Sequence, residues 1–170
     1  WLTRSHLLEP VPRRRLVQAV SDVCGVQAQV LTAAEFGIGT RVAAVTQREV
    51  EDALWQKRTL IKTYGPRGTL HVLPAVEAPL WSAALRALPL GHQREWFEQF
   101  NLSVSQGQAL FDAMRDALDG RVLTRAALAD AVSERLGAWV RQRLASTWAD
   151  LVGVAAFAGV ICFGPPKGSQ

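Results

Sequence analysis

The sequence predicts a mainly α chain with small β-hairpin wings, arranged as tandem winged-helix (helix-turn-helix) domains. Three observations predict it. Three short helical patterns precede residue 57, the apolar period then drops from about 3.6 to 2, and the second half repeats a similar order of elements.

The first helical period runs from Val11 through Leu16, Val20 and Val23, with Pro12 in the first turn and Gly25 just past the last apolar residue. A second helix is expected over Gln27 to Ile38, burying Val30, Leu31, Ala34 and Ile38, with Gly37 and Gly39 at its end. In Thr46-Gln47-Arg48-Glu49 the spacing lets the threonine hydroxyl and the glutamate each satisfy a first-turn backbone donor. A third helix therefore starts there, with Val50, Ala53 and Leu54 facing inward. Leu60–Tyr64 and Thr69–Leu73 are β-prone runs around Gly65-Pro66-Arg67-Gly68, the pattern of a hairpin.

Residues 74–100 read as one or two linking helices packed through Trp81, Trp96 and Phe97. A helix over Ser105–Leu118 stops at Gly120, and Leu123-Thr124 caps a short helix ending near Leu136-Gly137. A longer helix is expected over Val140–Ala158, with Ile161-Cys162-Phe163 as the first strand of a second wing. The expected division is residues 1–90 for the first winged helix and 91–170 for a linking helix and a second one, truncated at its C-terminus. The first residue is Trp and the last seven form a turn sequence with no strand after it, as expected of a fragment.

Composition bounds the function classes. The chain has 170 residues, 49% hydrophobic and 20% charged, the balance of a folding globular protein. Its 19 basic and 15 acidic residues leave +4, and 16 of the basic residues are arginine, which matches phosphate and guanine bidentately. The same charge also serves solubility. Cys24 and Cys162 lie far apart, and His6, His71 and His92 are scattered singly, so no zinc-ligand spacing exists and no metal is expected. A reduced, cytoplasmic monomer is the expectation. The longest apolar run, Leu151–Phe163, is interrupted by two glycines and is shorter than the ~20 residues of a membrane span. No signal-peptide pattern opens the chain.

The usual catalytic signatures are missing, with no nucleophile elbow, phosphate-cradling loop or dinucleotide fingerprint. Glu49, Glu51 and Asp52 form a solvated acidic face. Two polar clusters stand out instead. In Val26-Gln27-Ala28-Gln29 two amides flank a small apolar residue at a helix junction, where residues two apart share a side only if the backbone is extended. In Arg67-Gly68-Thr69-Leu70-His71, alternation puts Thr69, His71 and Leu73 on one face and Leu70 and Val72 on the other.

Cys24-Gly25-Val26-Gln27-Ala28-Gln29 and Arg67-Gly68-Thr69-Leu70-His71-Val72-Leu73-Pro74, in this order and about forty residues apart, resemble the AlkZ- and YcaQ-like winged-helix DNA glycosylases. Weaker agreement reaches Ile161-Cys162-Phe163-Gly164-Pro165. The resemblance implies excision of N7-alkylated purines from double-stranded DNA, interstrand crosslinks included, with Gln27 and Gln29 as the catalytic pair and no cofactor. In some relatives the second position is aspartate, whereas Gln29 matches the AlkZ branch. A glutamine is neither a strong base nor a nucleophile, but an N7-alkylated purine is already cationic and leaves as a neutral base, so positioning a water near C1′ suffices. Candidates for holding DNA are Arg67, Thr69 and His71 on the hairpin, Arg13, Arg14 and Arg15 before the first helix, and Arg141 and Arg143 at the start of the last. Two other readings fit the architecture and charge, a non-enzymatic winged-helix transcriptional regulator and a protein-interaction module. Neither accounts for the paired glutamines.

Overall fold

The first element is a strand, not the start of a helix. Val11 donates its N–H to the Arg41 carbonyl (2.9 Å), and Pro12, lacking an N–H, continues the extended backbone. The computed structural model describes residues 1–87, 93–145 and 151–166. In it β1 (Val11–Pro12) pairs in parallel with β3 (Val42–Ala43), and the expected first helix is shortened to α1 (Leu16–Asp22) after a tight turn over Arg13–Arg15. At its end Cys24 N–H bonds the Ser21 carbonyl and Gly25 N–H the Val20 carbonyl, a paired C-terminal lock with Cys24 in the left-handed conformation (φ 59°).

The second correction concerns the segment after Gly25. The helix expected from Gln27 begins only at Leu31, because Val26–Gln27 forms strand β2 and pairs with β5 (Leu70–Pro74). Val30 therefore caps α2 (Leu31–Gly39) from outside the helix and is 60% exposed rather than buried, while Ala34, Glu35 and Ile38 face inward. The Thr46 capping box forms as expected: Thr46 N–H donates to Glu49 Oε2 (2.8 Å) and Glu49 N–H to Thr46 Oγ1 (3.3 Å). It opens α3 (Gln47–Glu51), which runs into a wider turn over Asp52–Gln56. The hairpin joins β4 (Leu60–Tyr64) to β5, one residue later than the alternation placed its second strand. The sheet order is β2-β5-β4.

These elements belong to a first compact unit, Trp1–Leu85 with Cys162–Pro165. Its core is built from Leu16, Ala19 and Val20 of α1, Ala28, Ala34 and Ile38, Val50 and Leu54, and Leu60 and Val72 of the sheet. The expected first strand of a second wing lies here instead. Phe163 N–H bonds the Lys62 carbonyl (2.9 Å), and the segment makes an antiparallel bridge along the free edge of β4, with the Phe163 ring 6.3 Å from Tyr64. An open strand edge binds the nearest extended backbone, and a local pattern cannot say whose edge that is.

The second unit spans Arg86–Ile161 and Pro166–Gln170. Following α4 (Ala78–Ala87), it contains α5 (Gln93–Gln99), α6 (Val104–Leu118, capped by Ser103), α7 (Arg125–Leu136, capped by Thr124), α8 (Trp139–Ala145) and α9 (Leu151–Phe157). The middle of the expected Val140–Ala158 helix, 146–150, lies outside the described residues. Phe97 is fully buried, while Trp81 and Trp96 are half-buried. Gly107 lets α6 approach α5, since a Cβ there would stand 2.4 Å from the Phe97 ring. Leu151, Val152 and Ala155 are buried with Leu110 and Met114, so this apolar run is core. No helix among the described residues is long and apolar enough to cross a membrane.

Glu35 is 9% exposed; its burial pushes the carboxyl pKa up, and Glu51 adds to the shift. The folded state thus keeps a proton that the unfolded chain has already lost, so this group favours folding below the ordinary glutamate range and opposes it as pH rises through that range and above. Glu35→Gln is expected to raise the melting temperature at pH 7, with the gain vanishing at pH 3. Parallel melts at the two pH values check this, and an equal shift at both would contradict it.

Candidate nucleic-acid site on the three-stranded sheet

The two sequence clusters meet by strand pairing. Gln27 of β2 lies directly opposite His71 of β5, and His71 lies opposite Thr63 of β4. Directly opposed residues share a face, so Gln27, His71 and Thr63 form a polar row across the sheet. The neighbouring row is Val26, Val72 and Lys62, with Val72 in the core. Ala28 N–H extends the ladder by one more bond, to the Leu70 carbonyl (2.7 Å), and its side chain is fully buried. Gln27 and Gln29 flank it and are both exposed. Gln27 of the strand and Gln29 just beyond it thereby flank a residue that is anchored in the core.

His71 is 5% exposed and Thr63 6%. The His71 Nδ1 lies 2.9 Å from the Thr69 carbonyl, which can only accept, so Nδ1 carries the proton. Gly65 makes room for the ring: a Cβ at that position would come within 3.0 Å of the His71 Cβ and 3.1 Å of its Cγ. Gly25 does the same for the β2–β5 approach. It has φ +91°, and a Cβ would stand 2.4 Å from Leu73 Cδ2 and 3.1 Å from the Val72 carbonyl oxygen.

The loop between β4 and β5 closes through Gly65 N–H to the Thr69 carbonyl (2.9 Å) and Gly68 N–H to the Gly65 carbonyl (3.1 Å). Thr69 Oγ1 donates to the Pro66 carbonyl (3.3 Å). At its tip Arg67 is exposed and adopts φ 60°, ψ 17°, a left-handed conformation that glycine or asparagine enters more readily. Five of the residues singled out in the sequence, Gln27, Gln29, Arg67, Thr69 and His71, thus belong to β2, β5 and the loop beside them.

The remaining arginines are placed differently. Arg13 pairs with Glu49 (3.2 Å) and Arg15 approaches Asp22 (3.7 Å), while Arg14 is exposed with no ion pair among the described residues. In the second unit Arg141 pairs with Asp130 (2.8 Å), and Arg143 donates to the Phe100 carbonyl with its guanidinium 5.8 Å from the Trp139 ring centre. Sequence reasoning missed Thr63, whose place opposite His71 depends on strand register. It also missed Gly25 and Gly65 as spacers; a glycine beside each polar cluster was the available signal.

Comparison with known proteins places the chain among DNA glycosylases of one family. The family model for DNA glycosylase AlkZ-like proteins matches residues 20–170. An interstrand DNA cross-link repair glycosylase of Streptomyces sahachiroi is 31% identical over 175 residues, covering all of this chain and 46% of the relative. The solved structure of Streptomyces sahachiroi DNA glycosylase AlkZ superposes over 98% of this chain and 44% of its own, with TM-score 0.78 and 28% identity. The chain therefore spans less than half the length of the relatives it matches. Because the family model covers residues 20–170, the chain belongs to the AlkZ-like DNA glycosylase family.

Proposed function

We propose that the protein hydrolyses the N-glycosidic bond of N7-alkylated purines in double-stranded DNA, and that Gln27 and Gln29 carry the reaction. The observation that supports this most directly is the anchored Val26–Gln29 segment, in which two exposed amides flank the buried Ala28 next to the hairpin. The relative named for interstrand DNA cross-link repair extends the substrate class to purines joined across the duplex. In this reading the amide oxygens accept hydrogen bonds from a water near C1′ and stabilise the sugar cation as it develops. The water oxygen bonds to C1′ as the C1′–N9 bond breaks; its electron pair neutralises the alkylated ring, and the water proton passes to solvent. Because the leaving group is already cationic, neither an acid nor a metal is needed to expel it.

Arg67 at the hairpin tip contacts the backbone of DNA, and Thr69 and His71 shape the loop that presents it. The exposed turn Arg13–Arg15 adds non-specific phosphate contacts, with Arg141 and Arg143 doing so from the second unit. The order α1, α2, α3, β4, β5 supports reading residues 1–90 as a winged helix and 91–170 as the linking and second winged-helix part. The reading places the protein with DNA in the cytoplasm, as a monomer.

The test is to incubate the intact protein with duplex carrying one N7-methylguanine and to cleave the resulting abasic sites with alkali. Strand breaks above the spontaneous rate are expected. Unchanged spontaneous release, with normal duplex binding, would rule the reading out.

A further inference from the structure

His71 lies in the polar row beside Gln27, 5% exposed, with one ring nitrogen committed and the other not. Its Nδ1–H donates to the Thr69 carbonyl (2.9 Å), which fixes the tautomer and leaves the lone pair on Nε2. Nε2 meets no donor among the described residues, yet it is not shut off from solvent. An imidazole held at Nδ1 by a carbonyl, with an open lone pair at Nε2, is arranged to accept a proton.

The register brings Gln27 closer to this ring than Thr63. Ala28 N–H bonds the Leu70 carbonyl, so the next pair along the β2–β5 ladder, Gln27 with His71, is of the non-hydrogen-bonded kind, in which opposed side chains approach most closely. On the β4 side Gly65 N–H bonds the Thr69 carbonyl, so Thr63 and His71, two residues further along, form the wider, hydrogen-bonded kind of pair. Opposed Cβ atoms in the close kind stand about 5 Å apart, a spacing at which an amide oxygen and an imidazole nitrogen can straddle one water.

We propose that His71 is the general base of base release: its Nε2 and the Gln27 amide oxygen accept the two hydrogens of one water and turn the oxygen lone pair toward C1′. This rests on the glycosylase reading and gives the proton a defined path. As the water oxygen bonds to C1′, the electron pair of the C1′–N9 bond returns to the alkylated ring, which leaves neutral, and the water proton moves to Nε2. A purine cation is exchanged for an imidazolium, so the net charge of the site does not change through the step. The Thr69 carbonyl holds the Nδ1–H throughout, and the imidazolium then yields its Nε2 proton to solvent. Gln29 is left to stabilise the sugar cation.

The test is single-turnover release of N7-methylguanine from duplex by the intact protein, with gel-shift titration of the same preparations. His71→Gln keeps an acceptor but is too weak a base to take the proton, and His71→Ala leaves a hole the size of the ring. Both variants are expected to slow release by about 10² while duplex affinity changes by less than about threefold. Added imidazole is expected to recover about tenfold of the rate lost in the alanine variant and to leave wild type unchanged. Pyrazole, which fits the same hole but is a far weaker base, should recover nothing. Rescue by both compounds alike, or by neither, would mean that His71 only packs the hairpin, and the proposal falls. If the alanine variant does not fold, His71→Gln decides: release at the wild-type rate, or a loss of rate matched by an equal loss of binding, overturns the proposal. If wild type itself releases no base, the glycosylase reading fails and the role of His71 with it, whereas a negative result from the variants alone leaves that reading standing.

Discussion

Gln27→Ala is expected to slow release of N7-methylguanine by about 10²–10³ at saturating protein, the scale of losing one positioned polar group from an active site. Duplex affinity should change by less than a few-fold. The two effects separate because the β2–β5 ladder beside Gln27 is held by backbone, with Ala28 N–H bonded to the Leu70 carbonyl, so truncating the exposed side chain leaves it in place. Gln29→Ala should behave alike, since Ala28 and Val26, not Gln29, pack the segment into the core. Single-turnover release and gel-shift titration of the same preparations provide the measurement. Equal losses in binding and rate would mean that the amides act as DNA contacts and not on the reacting water.

The second large effect is on folding. Gly25→Ala is expected to destabilise the protein by about 2–4 kcal/mol, combining left-handed strain with overpacking. The backbone has φ +91°, and the added methyl would stand 2.4 Å from Leu73 Cδ2 and 3.1 Å from a backbone oxygen of Val72. The leucine can yield only by moving within a fully buried site, and the carbonyl belongs to the strand that pairs with β2. Base release should fall with stability, because relief of the clash moves Gln27 away from β5. Gly39 is the control: nothing lies within 4 Å of its missing Cβ and its φ is negative, so Gly39→Ala should change stability by less than about 1 kcal/mol. Denaturant melts of the two variants check the contrast. Equal stabilities would show that β2 is free to shift against β5.

What was legible in the sequence is what local chemistry decides. The Thr46–Glu49 box, the Thr124 cap and the period-2 runs of the hairpin all formed where residues a few positions apart dictate them. What was not legible depends on partners far along the chain. Val26–Gln27 is a strand only because β5 offers an edge more than forty residues later, and Val11–Pro12 is one only because residues 41–43 lie alongside. Val11–Pro12 and Gln27 were read as helix, since their apolar spacing fits either state over so short a span. The site followed the same division. The glutamines and the hairpin histidine were picked out by residue type and motif, while their apposition and the row ending in Thr63 came from register.

Phe163, bonded to Lys62, belongs to a first unit that is discontinuous in sequence, with the second unit inserted between Leu85 and Cys162. On the ribosome, about a hundred residues must be added after Lys62 before that seal is available. At 5–20 residues per second this takes about 5–20 s. For that interval the nascent chain carries β4 with an unblunted edge, the kind of edge on which strands from other chains add. Synthesis is therefore an interval in which the β4 edge lies open, closed by the Phe163 bridge only once the later residues have been added.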